Sequence, residues 1–281
     1  MKKITALFIA LAFAIVGINV FAQTGAKHFQ VKITGSGNQS IVFIPGFACS
    51  GDVWNDTRAV YEKNYKCYTF TMAGFAGAPA EASPAFKSWE DAIATYIIQN
   101  KIDKPIIIGH SMGGGLALAI AADYPQLPSK IIVVDALPCL AAMYNPAFKS
   151  NPNNDCSPIV AQFTGLTDGQ FYQMQAHSMR QLMDDTVHLK QIIQWSVASD
   201  RETFAMMYCD FMNTDLRDKI TAIKCPALIL LESYFATIKP AIAAQYGNLK
   251  TAQLVYANKG KHFIMYDDTD WYKQQLADDI K

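Results

Sequence analysis

The chain has no excess of charge. Lys+Arg and Asp+Glu are matched at 24 each. A balanced chain lacks the basic field expected of a nucleic-acid binder or of a protein drawn to anionic membrane. Its cysteines lack the paired close spacing of a zinc site. No metal ligand set and no cofactor motif stand out. There is no internal repeat and no low-complexity tract. Beyond the N-terminus, no apolar run is long enough to span a bilayer. Only five histidines are present, so few residues can serve as a general base near neutral pH.

The N-terminus differs from the rest. Lys2 and Lys3 precede an apolar run from Ile4 to Val20, and Val20-Phe21-Ala22 then places small residues at −3 and −1 of a cleavage point before Gln23. Charged, apolar and small residues in that order predict a signal peptide over residues 1–22. The alternative is a retained anchor; the short run and the cleavage point favour removal, with no membrane association afterwards. The residue directly after the cleavage point is Gln23 and not a cysteine, against a lipoprotein. The expected location is periplasmic or secreted. All six cysteines (Cys49, Cys67, Cys139, Cys156, Cys209 and Cys225) then lie in the mature chain, where disulfides are permitted. The short loops Cys139–Cys156 and Cys209–Cys225 are the pairings expected, with simple burial of several thiols the alternative.

After the leader, strand and helix signals alternate. Strands are expected at 28–33, 40–44, 66–72, 105–108, 130–134, 227–231 and 252–256. Helices are expected over 83–100, from 112 to 124, and from about Thr269 onward. Continuous apolar strands between helices predict a mostly parallel sheet covered on both faces. Residues 137–215 carry no convincing strand. They are rich in Met and aromatic residues with helical spacing, and they interrupt the alternating pattern. They are expected to form a helical cap, with residues 23–136 and 216–281 as the core.

Gly109-His110-Ser111-Met112-Gly113 fits G-x-S-x-G. In that pattern a strand turns sharply into a helix with a strained serine at the tip, and the flanking glycines leave room for the turn. An aliphatic strand precedes this one and an Ala-rich helix follows it. Ser111 is therefore the candidate nucleophile; the alternative is an ordinary tight strand–helix turn. His262 alone lies after the last expected strand, in Asn258-Lys259-Gly260-Lys261-His262-Phe263, and is the candidate base. His110 is expected to pack beside the turn. His177 and His188 fall in the insertion, and His28 on a first, edge strand.

Ile44-Pro45-Gly46-Phe47 with Trp54 downstream, the Gly-His-Ser-Met-Gly-Gly turn, Val134-Asp135 at a strand end, and His262 near the C-terminus resemble the α/β-hydrolase superfamily over nearly the whole mature chain. The resemblance implies the α/β-hydrolase fold and a serine esterase-like hydrolase that needs no cofactor. It implies an oxyanion hole from the backbone N–H groups of Phe47 and Met112. The family often places its acid in a Gly-x-x-Asp turn after the strand before last. Here Glu232 holds the Gly position and Phe235 the Asp position. Two carboxylates remain. Asp135 matches branches with the acid after the nucleophile strand's neighbour, such as certain lipases and haloalkane dehalogenases, and is preferred. Glu232 is the alternative. A dehalogenase would need Asp where Ser111 stands.

A cap over the serine implies a closed apolar pocket suited to a small hydrophobic ester or acyl substrate, with Phe47 and Tyr234 at its border. Thioester, amide and carbon–carbon hydrolysis, cofactor-free peroxidation and cyanohydrin lysis share the same machinery. Phe235 also motivates a rival of another class, a ligand-binding protein that kept the fold and lost turnover.

Overall fold

Aliphatic segments form the centre of one seven-stranded sheet in this computed structural model, which describes residues 28–280. The segment read as a signal peptide lies outside the described residues. In chain order the first half runs β1 (Phe29–Thr34), β2 (Gln39–Ile44), α1 (Asn55–Tyr61), β3 (Tyr65–Met72), α2 (Phe86–Gln99), β4 (Ile106–His110), α3 (Met112–Asp123) and β5 (Lys130–Val134). Four helices follow: α4 (Ser157–Thr164), α5 (Asp168–Leu182), α6 (Thr186–Val197) and α7 (Arg201–Met212). The chain then returns through β6 (Ala227–Leu231), α8 (Lys239–Gln245), β7 (Ala252–Tyr256), α9 (Ile264–Asp267) and α10 (Thr269–Asp279).

The strand order is β1-β3-β2-β4-β5-β6-β7. Every neighbouring pair is parallel except β1 with β3. β1 is the edge strand, and its pattern shows it: Gln30, Lys32 and Ile33 are exposed or nearly so. β6 is buried at every residue, as a strand covered on both faces must be. The helix after β4 explains its own composition in the same way. α3 is buried from Met112 to Ala122, and small Gly and Ala side chains let it lie close against the sheet.

α4 to α7 depart from the sheet after β5 and return to it at β6. The ends of this excursion meet where the Leu216 N–H donates to the Pro138 carbonyl at 2.9 Å. Thr167, Asp185 and Asp200 cap α5, α6 and α7 with their side chains, so each helix start is locally encoded.

The cysteines pair differently from expectation. Cys156, before α4, is joined to Cys209 on α7, with Cα atoms 5.7 Å apart. Cys139 and Cys225, the partners expected from short loops, are free and buried, as are Cys49 and Cys67. Short sequence separation misled here because Cys139 and Cys225 belong to the core, while Cys156 and Cys209 face each other where α4 packs on α7.

The bond closes a loop across 53 residues. Reducing it is expected to lower the unfolding free energy by roughly 2–4 kcal/mol, mostly by freeing the unfolded chain. Urea denaturation with and without a reductant measures this; an unchanged midpoint contradicts it.

Candidate active site

Ser111 sits between β4 and α3 with φ 53° and ψ −123°, a conformation that L residues avoid. Its N–H donates to the Val134 carbonyl at 2.9 Å, and its own carbonyl accepts the Gly115 N–H at 3.0 Å. Those bonds hold the strained turn. The glycines on either side have no room for a side chain: a Cβ on Gly109 would lie 2.1 Å from the Gly113 carbonyl oxygen, and one on Gly113 would lie 2.3 Å from that of Ile44. Ser111 is partly exposed between the buried His110 and Met112. Ala48 and Asp135 also have positive φ, at 56° and 48°. Such strain costs about 1–3 kcal/mol per residue and gathers where geometry is over-determined.

Asp135 directly follows β5 and is only 2% exposed. Its N–H donates to the Leu230 carbonyl at 2.7 Å, which keys it to the neighbouring strand. Its Oδ1 accepts the Glu232 N–H at 2.7 Å, and its Oδ2 lies 2.7 Å from Nδ1 of His262. A carboxylate can only accept, so the proton of this bond is on Nδ1 and the neutral ring presents Nε2 as its basic nitrogen. Burial disfavours a charged ring at His262. The hydrogen bond and charge of Asp135, helped by the charge of Glu232, outweigh that penalty and raise its pKa.

His110 stands against the same ring, with centroids 4.7 Å apart. Its Nε2–H donates to the His262 carbonyl at 3.0 Å. Burial, and then the neighbouring His262, hold its pKa well below the usual value, so it stays neutral. It steadies the backbone of His262. The position is the variable one of the five-residue turn, and no sequence signal marked this contact.

Glu232 contributes its backbone N–H to Asp135. Burial first, and then the Asp135 charge, push its carboxyl up to about 7. Phe235, where an acid was sought by analogy, packs against the apolar core. Of the two candidate acids, Asp135 is the one whose carboxylate meets His262.

The loop after β2 closes on the turn: a Cβ on Gly46 would lie 3.2 Å from the Ser111 Cβ. Among the described residues the Phe47 N–H donates to no group. Met112 opens α3, so its N–H has no acceptor within the helix. These are the two expected oxyanion donors. The Phe47 ring packs on Phe75 at 5.1 Å and on Phe204 of α7 at 4.6 Å, with Tyr208 at 6.2 Å. Phe163 of α4 adds to this wall, 5.2 Å from Phe204. Tyr234, the other expected pocket residue, is 58% exposed and pairs with Phe235 at 6.2 Å. The remaining histidines lie apart: His28 is 2.6 Å from Glu81, His177 is exposed, and His188 bonds Asp185 at 2.9 Å. No cluster of metal-ligating side chains exists among the described residues.

The chain belongs to the alpha/beta hydrolase family, whose model matches residues 41–275. It is similar to the pimeloyl-[acyl-carrier protein] methyl ester esterase of Wigglesworthia glossinidia brevipalpis, 26% identical over 204 residues, covering 72% of this chain and 77% of the relative. Its fold is similar to that of the enol-lactonase of Burkholderia xenovorans LB400, with a TM-score of 0.73, 16% identity, and coverage of 89% and 95% of the two chains. A thermophilic esterase of Thermogutta terrifontis also has a TM-score of 0.73, at 16% identity over 89% and 92% of the chains.

The charge relation between Glu232 and His262 is directly measurable. The Glu232 carboxylate raises the His262 pKa, so Glu232→Gln is expected to lower it, and the ring stays neutral to lower pH. An NMR titration of the His262 ring reads the shift; a pKa that is unchanged or raised contradicts it.

Proposed function

We propose that the protein is a serine esterase that cleaves a small hydrophobic ester through an acyl-enzyme. The observation that carries this reading is the 2.7 Å contact of Asp135 with His262 beside the Ser111 turn. Ser111 Oγ attacks the ester carbonyl carbon as its proton passes to Nε2 of His262. The N–H groups of Phe47 and Met112 stabilise the oxyanion. The bond to the alcohol breaks as His262 returns the proton to the leaving oxygen. Water, deprotonated by His262, then releases the acid and restores Ser111. Asp135 keeps the proton on Nδ1 and stabilises the imidazolium. No step calls for a metal or cofactor.

The substrate class rests on two supports. The relatives named above as esterases act on esters, and the Phe47 ring is continuous with aromatic side chains of α4 and α7. That wall favours an apolar group on the substrate and gives the inserted helices the part of a cap. The rival reading, binding without turnover, rested on Phe235; with Asp135 against His262, no observation favours it. We also place the protein in the periplasm or outside the cell. The order of residues in 1–22 and the Cys156–Cys209 bond support that location. Among the described residues no helix is long and apolar enough to cross a membrane.

A fluorophosphonate probe should label the wild type stoichiometrically and leave Ser111→Ala unlabelled; an inert wild type would sink the enzyme reading. On a short p-nitrophenyl ester, Asp135→Asn should lose about 10²–10⁴-fold in kcat, against only a few-fold for Glu232→Gln. Near-full turnover by folded Asp135→Asn would place the acid elsewhere.

A further inference from the structure

Asp267 ends α9, five residues beyond His262. Its carboxylate is one of the most heavily used acceptors in the protein. Oδ2 accepts the Lys261 N–H at 2.9 Å. The Asp184 N–H reaches both oxygens, at 3.0 and 3.1 Å. Oδ1 accepts the Asp185 N–H at 2.7 Å. Lys261 is the residue before His262. Asp184 and Asp185 form the turn between α5 and α6. One side chain therefore holds the backbone of the base loop and the backbone of the inserted helices together.

The surroundings are shaped for this. Gly260 has φ +87°, and a Cβ there would lie 2.7 Å from the Asp267 Cβ, so the loop passes Asp267 at a distance that only glycine permits. Lys261 Nζ reaches back to Asp184 at 2.6 Å, a second tie between the same two segments. Met183 is buried in the apolar cluster that holds Phe263, Ile264 and Met265. Two other groups steady the base loop: the Ser233 hydroxyl donates to the Gly260 carbonyl at 2.7 Å, and His110 donates to that of His262. Both belong to the core. Asp267 instead reaches the turn between α5 and α6, where His188 of α6 also stacks on Tyr266 at 3.9 Å.

Charge-assisted hydrogen bonds to an ionised carboxylate are about twice as strong as neutral ones. Backbone N–H groups are also fixed donors, so they set position more tightly than flexible side chains would. We propose that Asp267 is a positioning residue that seats His262 by locking its loop to the α5–α6 turn, so that the base is correctly placed only while the inserted helices are docked. The catalytic consequence rests on the esterase reading above; the physical tether does not.

The test is Asp267→Asn, which keeps the shape but turns one acceptor into a donor facing other donors. Rates are expressed per active site, counted by fluorophosphonate titration, so that loss of folded protein is removed from the comparison. We expect kcat on a short p-nitrophenyl ester to fall about tenfold to a hundredfold, with KM changed less than about threefold. In the wild type, hydrogen exchange at the Asp184, Asp185 and Lys261 amides should show one common protection, because they share one acceptor. In Asp267→Asn that protection should drop at all three. A kcat within about twofold of wild type, or independent exchange of the three amides in the wild type, overturns the proposal. If the variant does not accumulate folded, the wild-type exchange measurement decides. Common exchange in a protein whose wild type shows no Ser111-dependent turnover would instead count against the esterase reading and leave the tether standing.

Discussion

A hydrogen bond of 2.7 Å between Asp135 and His262 joins the end of β5 to the loop after β7 across 127 residues of sequence. The Asp135 carboxylate is shielded from water, so the bond has to be made. A carboxylate as buried as Asp135 is costly unless its oxygens are satisfied. Here Oδ1 is met by the Glu232 N–H and Oδ2 by His262. Those partners come from the ends of β6 and β7, so Asp135 is satisfied only when three neighbouring strands are in register. The parallel sheet thus positions the site, and the site's buried charge in turn penalises any slip of the sheet.

The same interdependence extends outward. Ser111 is held in its strained turn by the carbonyl of Val134, the residue before Asp135. The Ser111 turn and Asp135 are therefore both anchored at the C-terminal end of β5. His110 and Asp267 both bond the backbone of the His262 loop, one at the His262 carbonyl and one at the Lys261 N–H. The Phe47 ring sits among Phe75, Phe204 and Tyr208, so the loop after β2 and α7 are packed as one apolar unit. Aromatic pairs of this kind are worth about 0.5–1.5 kcal/mol each beyond their buried area.

The centre of the sheet was legible in the sequence because β4, β5 and β6 are nearly pure aliphatic runs. The segments 130–134, 227–231 and 252–256 coincide with β5, β6 and β7. Helices α1, α8 and α9 were missed; none is longer than seven residues, too short to show a period. Ser111 and His262 were legible because local pattern and chain order both point to them. The carboxylate against His262 was harder: a partner across 127 residues is a tertiary fact, and sequence preferred Asp135 but kept Glu232 as the alternative. The Cys156–Cys209 pairing and the Asp267 tether were invisible for the same reason, since each depends on how helices of the insertion lie against something distant. Tyr234 was placed by loop position alone, and such a placement does not determine which way a side chain turns.

The central claim is that Asp135 holds the Nδ1 proton of His262 in a strong hydrogen bond. Proton NMR of the protein reads that proton directly. The account predicts a strongly downfield ring N–H resonance that is present in the wild type, kept in Glu232→Gln and lost in Asp135→Asn. A resonance that survives in Asp135→Asn and disappears in Glu232→Gln would contradict it.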